Sequence, residues 1–267
     1  MESLIFTPDS TRICTAVYSF WKVCRTGEFA INETIIPKGA VEIIFNLGSN
    51  PIHAEVNQHP VTVPKCFIQA YSTSPIYLCL SANQTFFGVT LKPSVVKHIF
   101  NFPPSICANH VFDLTVCDHS IYSLWHQLGE LNNFHEQIAS FTEWLCKRLP
   151  QPSPLEIAFN DFLNNDNYTG LSVKQLADQL CYSTRQLSRK LIELTGMNAE
   201  NILLYKKYLQ AMHLIHTSEL SLTEIAYNSN FFDQSHFIKT FKGYSCLTPH
   251  EYRKRKSETI GHIVVSA

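Results

Sequence analysis

The chain has 267 residues, of which 45% are hydrophobic and 16% are charged, and its 21 Lys and Arg nearly balance its 22 Asp and Glu. This length suits two ordinary domains, since single hydrophobic cores stop growing at roughly 250–300 residues. The sequence contains neither the ~20 consecutive apolar residues of a membrane span nor, at its start, the basic and apolar segments of a signal peptide. We therefore expect a cytoplasmic protein without a membrane partner, whose nine cysteines stay reduced.

The first part of the chain, from residue 17 to about residue 91, is typical of short β-strands. Runs rich in Val, Ile, Phe, Tyr and Thr alternate with turn residues at 37–39, 48–51 and 72–75. Several strands at this spacing favour a sandwich or a small barrel. The predicted strands are 17–24, 33–36, 41–47, 66–70, 76–80 and 85–91.

Glu42 interrupts the otherwise apolar strand 41–45 and has two open interpretations. It could contact a ligand, or the two-residue period of a strand could simply place it on the outer face. Cys24, Cys66 and Cys79 are similar: they could form a redox sensor, although buried and inert thiols are the usual case.

Helical patterns follow the strands. Pro93 predicts the first turn of a short helix that ends near residue 100. Apolar residues at helical spacing, beginning at Ile121 and Phe134, predict two amphipathic helices within about 113–148, and Asn133 with Glu136 predicts a capping box for the second. Three prolines between residues 150 and 154 end this region and predict a linker.

Beyond the linker, one motif occurs twice. Short helices are predicted to begin at Ser172 and Ser221, 49 residues apart, each with a Gln or Glu three residues later and a small Ala at the same offset. Second helices follow at Ser183 and Asp233. Two short helices joined by a tight turn form a helix-turn-helix. The helical region 199–217 between the copies is about 27 Å long, which would place the second helices in successive major grooves of DNA, whose turn is ~34 Å.

The basic residues concentrate in this repeat. Between Arg185 and Lys256, 11 Lys and Arg stand against six Asp and Glu, a surplus of five that the net charge of the whole chain conceals. Phosphate binding requires such a surplus, although a solvated helix face produces the same count. For one helix the solvated face is the better interpretation, but repetition in register favours DNA.

Arg and Gln side chains can read guanine and adenine, and a basic residue can pair with phosphate. The predicted base-reading residues are Arg185, Gln186, Ser188, Arg189, Gln234, Ser235, His236 and Lys239. The predicted phosphate contacts are Ser183, Lys190, Lys242, Tyr244 and Arg253. We expect the base-reading residues to lie on the exposed faces of the second helices, opposite Leu187 and Leu191.

Residues 154–256 resemble the tandem helix-turn-helix domain of AraC/XylS-type transcriptional regulators. The resemblance rests on Leu176-Ala177, Ser183, Leu187-Ser188-Arg189, Gly196, the helix 205–211, the run 221–226, Phe231, Asp233, Ser235, Phe237, Lys239, Phe241-Lys242, Thr248-Pro249 and Glu251-Tyr252-Arg253. The chain departs from the family at Asn230 and Cys246, where Gly is usual, and at Leu191, where Phe is usual. Asn tolerates the left-handed conformation, so we expect the turn at Asn230 to be preserved.

The first 110 or so residues resemble the uncharacterised β-rich domain that precedes this unit in a branch of the family, on the motifs 36–48 and 88–93. Related regulators use a cupin-like barrel there to bind an effector and adjacent helices to dimerise, which the helices 120–148 would suit. Packing of those helices against the barrel explains their amphipathic pattern equally well. No effector-binding residue is assigned.

These resemblances imply an α+β chain of two domains. We expect a cupin-like barrel or sandwich with flanking helices at 1–149, a linker at 150–154, a tandem helix-turn-helix domain at 155–256 and a tail at 257–267. The expected function is a sequence-specific, nucleoid-associated transcription factor that binds double-stranded DNA. RNA polymerase, a small-molecule effector and a second copy of the chain are further candidate partners. The alternative is a small-molecule-binding β-barrel protein whose helical domain mediates protein contacts.

No motif predicts an enzyme, a cofactor or a metal site. Cys107-x-x-His110 and Cys117-x-His119 lack the second pair of ligands that a zinc site needs. The chain also contains no Gly-rich phosphate loop and no Gly-x-Ser-x-Gly elbow.

Overall fold

The computed structural model describes residues 2–9, 12–165 and 168–266, so residues 1, 10, 11, 166, 167 and 267 of the predicted domains lie outside it. Antiparallel strands form two sheets, a six-stranded one in the order β1-β2-β9-β4-β7-β10 and a five-stranded one in the order β11-β3-β8-β5-β6. The two sheets do not join into a closed barrel, so the sandwich is the form adopted. The strands are β1 Glu2–Phe6, β2 Val17–Arg25, β3 Ile31–Ile35, β4 Val41–Asn46, β5 Ile52–Val56, β6 His59–Val63, β7 Cys66–Gln69, β8 Ile76–Leu80, β9 Gln84–Leu91, β10 Val111–Asp113 and β11 His262–Ser266.

All six predicted strands are confirmed to within two residues, but five strands were not predicted. The hairpin β5–β6 turns at Asn57 and Gln58, both with positive φ (51° and 66°), a conformation that glycine usually supplies. The predicted tail 257–267 contains β11, which pairs with β3 along its whole length.

Besides the strands, the described residues form ten α-helices. They are α1 Val95–Phe100, α2 His119–Glu130, α3 Phe134–Cys146, α4 Pro154–Asn164, α5 Val173–Gln179, α6 Thr184–Thr195, α7 Ala199–Thr217, α8 Leu222–Asn228, α9 Gln234–Ser245 and α10 Pro249–Arg255. The helical region predicted from 113 begins only at His119, because β10 and a 3-10 turn precede it. Asn133 caps α3 as predicted, but its side chain accepts from the His135 N–H and no capping box with Glu136 forms. In the described residues, no helix is long and apolar enough to cross a bilayer.

Helices α2 and α3 cover one face of the six-stranded sheet. The Phe141 ring of α3 lies 5.9 Å from that of Phe20 and 6.1 Å from that of Phe45, centroid to centroid. Ile121 and Leu128 of α2 are fully buried in the same core. The amphipathic pattern of these helices is therefore explained by packing against the sheet.

The opposite face of this sheet turns toward the five-stranded sheet. Every residue of β4 is consequently buried, including Glu42, which is only 4% exposed. The outward placement that the strand period suggested for Glu42 is wrong, because both faces of β4 are covered. Beside it, the indole of Trp21 lies flat over Gly88, where a Cβ would come within 2.1 Å of the ring.

One hydrophobic core continues from the sandwich into the helical region. The Gly39 N–H donates to the Tyr205 hydroxyl (3.0 Å), and the Tyr208 hydroxyl donates to the Pro37 carbonyl (2.9 Å). Both tyrosines belong to α7 and are fully buried. The turn after β3 is thus a docking point between the two parts.

Candidate nucleic-acid interface and ligand cavity

The two predicted helix-turn-helix units are present as α5–α6 and α8–α9. Capping boxes form at Ser172, Ser183 and Ser221, where each serine hydroxyl accepts from the N–H three residues on and that residue's side chain accepts from the serine N–H. Asp233 caps α9 by accepting from the His236 N–H. The sequence alone predicts these caps because the two residues of each cap are only three positions apart.

The turns of the two units match closely. Cys181 (φ 55°) and Asn230 (φ 59°), 49 residues apart, occupy the same left-handed position after the first helix. The predicted conformation of Asn230 is confirmed, and Cys246 also adopts the left-handed position (φ 59°), at the end of α9. The second turn is one residue longer than the first, and the additional residue is Phe232.

Helix α6 exposes Arg185 and Arg189 on the side opposite its buried leucines. Ile192 continues this face one turn further on and is 47% exposed. Helix α9 presents Gln234, Ser235, Lys239 and Lys242 to solvent, as predicted.

Ser188 and Gln186 of α6, and the capping residue Ser183, already have hydrogen-bond partners within the protein. Ser188 is half-buried and its hydroxyl accepts from the Ala199 N–H of α7 (3.3 Å), so its predicted place on the exposed face is wrong. The Gln186 amide oxygen and the Ser183 hydroxyl are held in their own capping box, with the oxygen accepting from the hydroxyl at 2.8 Å. The helix start therefore uses these side chains to satisfy its own backbone N–H groups.

Lys190 is paired within the protein. Its ammonium lies 3.1 Å from the Glu193 carboxylate, which also pairs with Lys97 of α1 at 3.0 Å. Partial burial raises the pKa of Glu193, but hydrogen bonds from Lys97 and Lys190 lower it by more, so the carboxylate stays charged. Lys190 is therefore neutralised within α6, by the carboxylate that also links α6 to α1.

Three candidates of the second unit also face inward. The His236 ring is half-buried edge-on against Phe231, with centroids 5.4 Å apart. The Tyr244 ring packs against Tyr205 and Tyr208 of α7, each at 5.0 Å. Arg253 donates to the Leu220 carbonyl (2.8 Å), just before the cap of α8. Helical spacing could not separate these positions from the exposed ones, because their partners lie outside α9 and α10.

Two exposed aromatic residues near α9 were not predicted as part of the interface. Phe232 is 94% exposed in the longer second turn, and Tyr227 is 83% exposed on α8. The inserted Phe232 was readable as a difference between the two copies, where Tyr182 leads directly to Ser183. Both rings precede α9 and extend the exposed surface around its first turn.

The comparisons with known proteins agree with this geometry. A family model described as a helix-turn-helix domain matches residues 176–255, and one described as a domain of unknown function matches residues 8–113. The chain carries an AraC-type helix-turn-helix domain.

The relatives of this AraC-type domain include transcriptional activators named RhaS. That of Yersinia pestis is 34% identical over 95 residues, which cover 36% of this chain and 35% of the relative. That of Escherichia coli O157:H7 is 35% identical over 79 residues, covering 30% and 28%. The matches thus span about a third of these relatives' length.

Two solved structures are also similar. The C-terminal domain of the response regulator yesN from Fusobacterium nucleatum is 31% identical, with 37% of this chain and 95% of that chain covered and a TM-score of 0.33. ToxT from Vibrio cholerae O395, bound to a naphthalenyl butenoic acid, is 14% identical, with 88% and 98% covered and a TM-score of 0.50. At this identity, the similarity to ToxT concerns the fold alone.

A cavity of about 310 Å³ lies between the two sheets of the sandwich. Cross-strand pairing places Ser19, Thr90, Glu42 and Gln69 in one polar row on its wall. The rest of the wall is mostly apolar, with Trp21, Ile44, Ile52, Val63, Phe67, Ile76, Leu78, Leu80 and Phe86 among its residues. Its other polar residues are Ser3, Arg25, Glu33, Lys38, Thr259 and His262.

Four of the ionisable groups around this cavity are paired with one another. The Lys38 ammonium lies 2.8 Å from the Glu42 carboxylate, which also accepts from the Trp21 indole N–H (3.0 Å). Glu33 is paired with His262 at 2.8 Å. Burial raises the pKa of Glu42, but Lys38, the Trp21 N–H and His262 lower it by more, so the net pKa is below its usual value.

Among the described residues, the possible metal ligands form no cluster and the cysteines form no disulfide. No three His, Cys, Asp or Glu side chains there are placed to hold a metal ion. All nine cysteines are free, and burial raises the pKa of the Cys66 thiol to about 12, which keeps it protonated and unreactive.

Proposed function

We propose that the chain is a sequence-specific DNA-binding transcriptional regulator, not an enzyme, that inserts α6 and α9 into successive major grooves. The observation that carries the proposal is the repetition of two capped helices with basic, exposed faces, separated by the 19-residue α7. That helix is about 28 Å long, close to the ~34 Å turn of B-DNA.

The exposed side chains suit direct readout. Arg185 and Arg189 can each donate two hydrogen bonds to guanine, and Gln234 can do the same with adenine. Ile238, 36% exposed beside Lys239, is placed to meet a thymine methyl group. Lys242 contacts phosphate, whereas Lys190 is neutralised by Glu193 of its own helix and Arg253 donates to the Leu220 carbonyl.

The cavity in the sandwich would hold a small-molecule effector that controls DNA binding. Its mostly apolar wall with a few convergent polar groups is typical of ligand sites. Such a regulator would act in the cytoplasm at the nucleoid, as a monomer or a homodimer, and would contact RNA polymerase at its promoters.

The test is selection of genomic fragments by the full chain, followed by footprinting and titration at two salt concentrations. We expect one protected region with two half-sites about 10 base pairs apart, and an affinity that falls steeply with salt. Equal affinity for the selected and random duplexes would contradict the proposal and favour the alternative, in which the helical domain binds a protein through surfaces such as that around Phe232.

A further inference from the structure

The last strand follows the AraC-type domain in sequence and belongs to the sandwich in space. Residues 257–266, here called the C-terminal strap, follow α10 directly and end as β11 at the edge of the five-stranded sheet. Thr259 and His262 of the strap line the cavity. A segment that directly follows the helix-turn-helix domain therefore forms part of the wall of the ligand site.

The strap is hydrogen-bonded to both parts through one turn. The Gly261 carbonyl accepts from the Ile36 N–H at the end of β3 (2.9 Å), and the Gly261 N–H donates to the Tyr252 hydroxyl of α10 (3.1 Å). Gly261 has φ +79°, which other residues adopt only at a cost. The Tyr252 ring in turn packs against Phe241 of α9, with centroids 5.5 Å apart.

A contiguous set of contacts thus runs from the cavity to a recognition helix. It begins at the pair of Glu33 with His262, passes through Gly261 and Tyr252, and ends at Phe241 on the buried side of α9. The turn at Gly261 is hydrogen-bonded both to the end of β3 and to Tyr252.

The charges of the cavity select the kind of ligand. Glu42 and Glu33 are already paired with Lys38 and His262. Arg25, the remaining ionisable residue of the wall, lies at the far end of β2 and donates to the Ser81 and Phe29 carbonyls. A charged head beside Gln69 would therefore enter without a free counter-charge. A buried charge without a partner is costly. The Gln69 amide, in contrast, has no hydrogen-bond partner in the described part of the chain and remains available to an uncharged head.

We propose that the cavity binds an uncharged amphipathic molecule, with an apolar body and a hydroxyl or carbonyl head, and that the strap transmits its binding to α9. The head lies between Gln69 and His262 and holds the strap against β3. This inference rests on the proposed function for its consequence at DNA, but not for the binding itself.

The ligand class is tested with three probes that share one chain and differ in charge: 1-decanol, decanoate and decylamine. Trp21 lies in the cavity wall, so its fluorescence reports binding to the full chain, and Trp21→Phe identifies its share among the three tryptophans. We expect decanol to bind at least about tenfold more tightly than either charged probe. Equal or tighter binding of a charged probe, or binding of none, overturns the assignment.

The strap is tested without DNA, by hydrogen–deuterium exchange of residues 257–264. We expect decanol to slow exchange there in the native chain and in Val264→Ala, a control on the same strand whose side chain does not line the cavity. The effect should disappear in His262→Ala and return in His262→Gln, which keeps a donor toward Glu33. Unchanged or faster exchange in the native chain overturns the role of the strap, even if His262→Ala fails to fold.

The link to DNA is a separate measurement. Decanol should change the affinity of the native chain for its selected duplex by about fivefold or more, and should leave that of His262→Ala unchanged. Protection of the strap without a change in affinity overturns the transmission to α9. If no selected duplex exists, the proposed function fails while the fluorescence and exchange results still decide the cavity and the strap.

Discussion

At the scale of single residues, two neighbouring basic side chains on α6 differ in exposure and in ion pairing. Arg189 is exposed, whereas the adjacent Lys190 is half-buried and paired with Glu193. We expect Arg189→Ala to weaken specific binding by about 1–3 kcal/mol and to relax the preference at one base pair. Competition titrations with duplexes substituted at each position measure both effects.

Lys190→Ala is the matched control for that substitution. Its ammonium is held by Glu193, so its loss should change affinity by less than about 0.5 kcal/mol, the range of ordinary surface substitutions. The same uniform loss for both variants on every duplex would show that Arg189 contacts phosphate and reads no base.

Glu42 makes a second prediction at this scale. Because its pKa in the folded chain is below the ordinary 4.5, the ionised carboxylate stabilises the fold above that value, and the contribution disappears as the pH falls through the lowered pKa. Glu42→Gln should therefore lower the free energy of unfolding by about 1–3 kcal/mol near neutral pH, and by much less in acid. Urea unfolding at both pH values measures the difference.

Glu143→Gln is the control that separates the loss of a buried ion pair from the loss of any glutamate charge. Glu143 pairs with Lys147, but both side chains are well exposed (71% and 66%), so solvent screens the interaction. We expect little change at either pH. A loss for Glu42→Gln that is the same at neutral and acid pH would mean that packing, and not charge, explains the cost.

At the scale of elements, the turn of the first helix-turn-helix offers a stabilising substitution. Cys181 has φ 55° and is exposed, and its counterpart in the second unit is Asn230. Because Asn tolerates the left-handed region better than Cys does, Cys181→Asn should raise the free energy of unfolding by about 0.5–1 kcal/mol. Cys181→Ala, which gains no such tolerance, should not, and thermal unfolding of both variants compares them. If the Asn and Ala variants were equally stable, the left-handed conformation of Cys181 would not strain the turn.

The elements also show what could be predicted from the sequence and why. The capping serines and the amphipathic faces of α6 and α9 were predictable because their partners lie three or four residues away. The inward positions of Ser188 and Tyr244 were not, since each depends on contact with α7. Strand β11 was the least accessible, because His262 meets Glu33 across 229 positions of sequence.

At the scale of the whole molecule, the sandwich and the helical part share one core, so we expect them to unfold together. Gly39 lies where the turn after β3 meets α7: its φ is +68°, and a Cβ there would lie 2.5 Å from the Leu209 Cδ1. Gly39→Ala should lower the free energy of unfolding by about 1–2 kcal/mol through its backbone alone, and should separate the two parts. Limited proteolysis should then cut faster near residues 150–152.

Gly129→Ala is the control for this substitution. Gly129 lies inside α2, where an added Cβ would meet nothing within 4 Å, so the change should stabilise the helix by about 0.5–1 kcal/mol. Its cleavage near residue 150 should stay as slow as in the native chain. If Gly39→Ala were cut no faster than Gly129→Ala, the strap and the pair of Lys97 with Glu193 would be sufficient to hold the two parts together without the contact at α7.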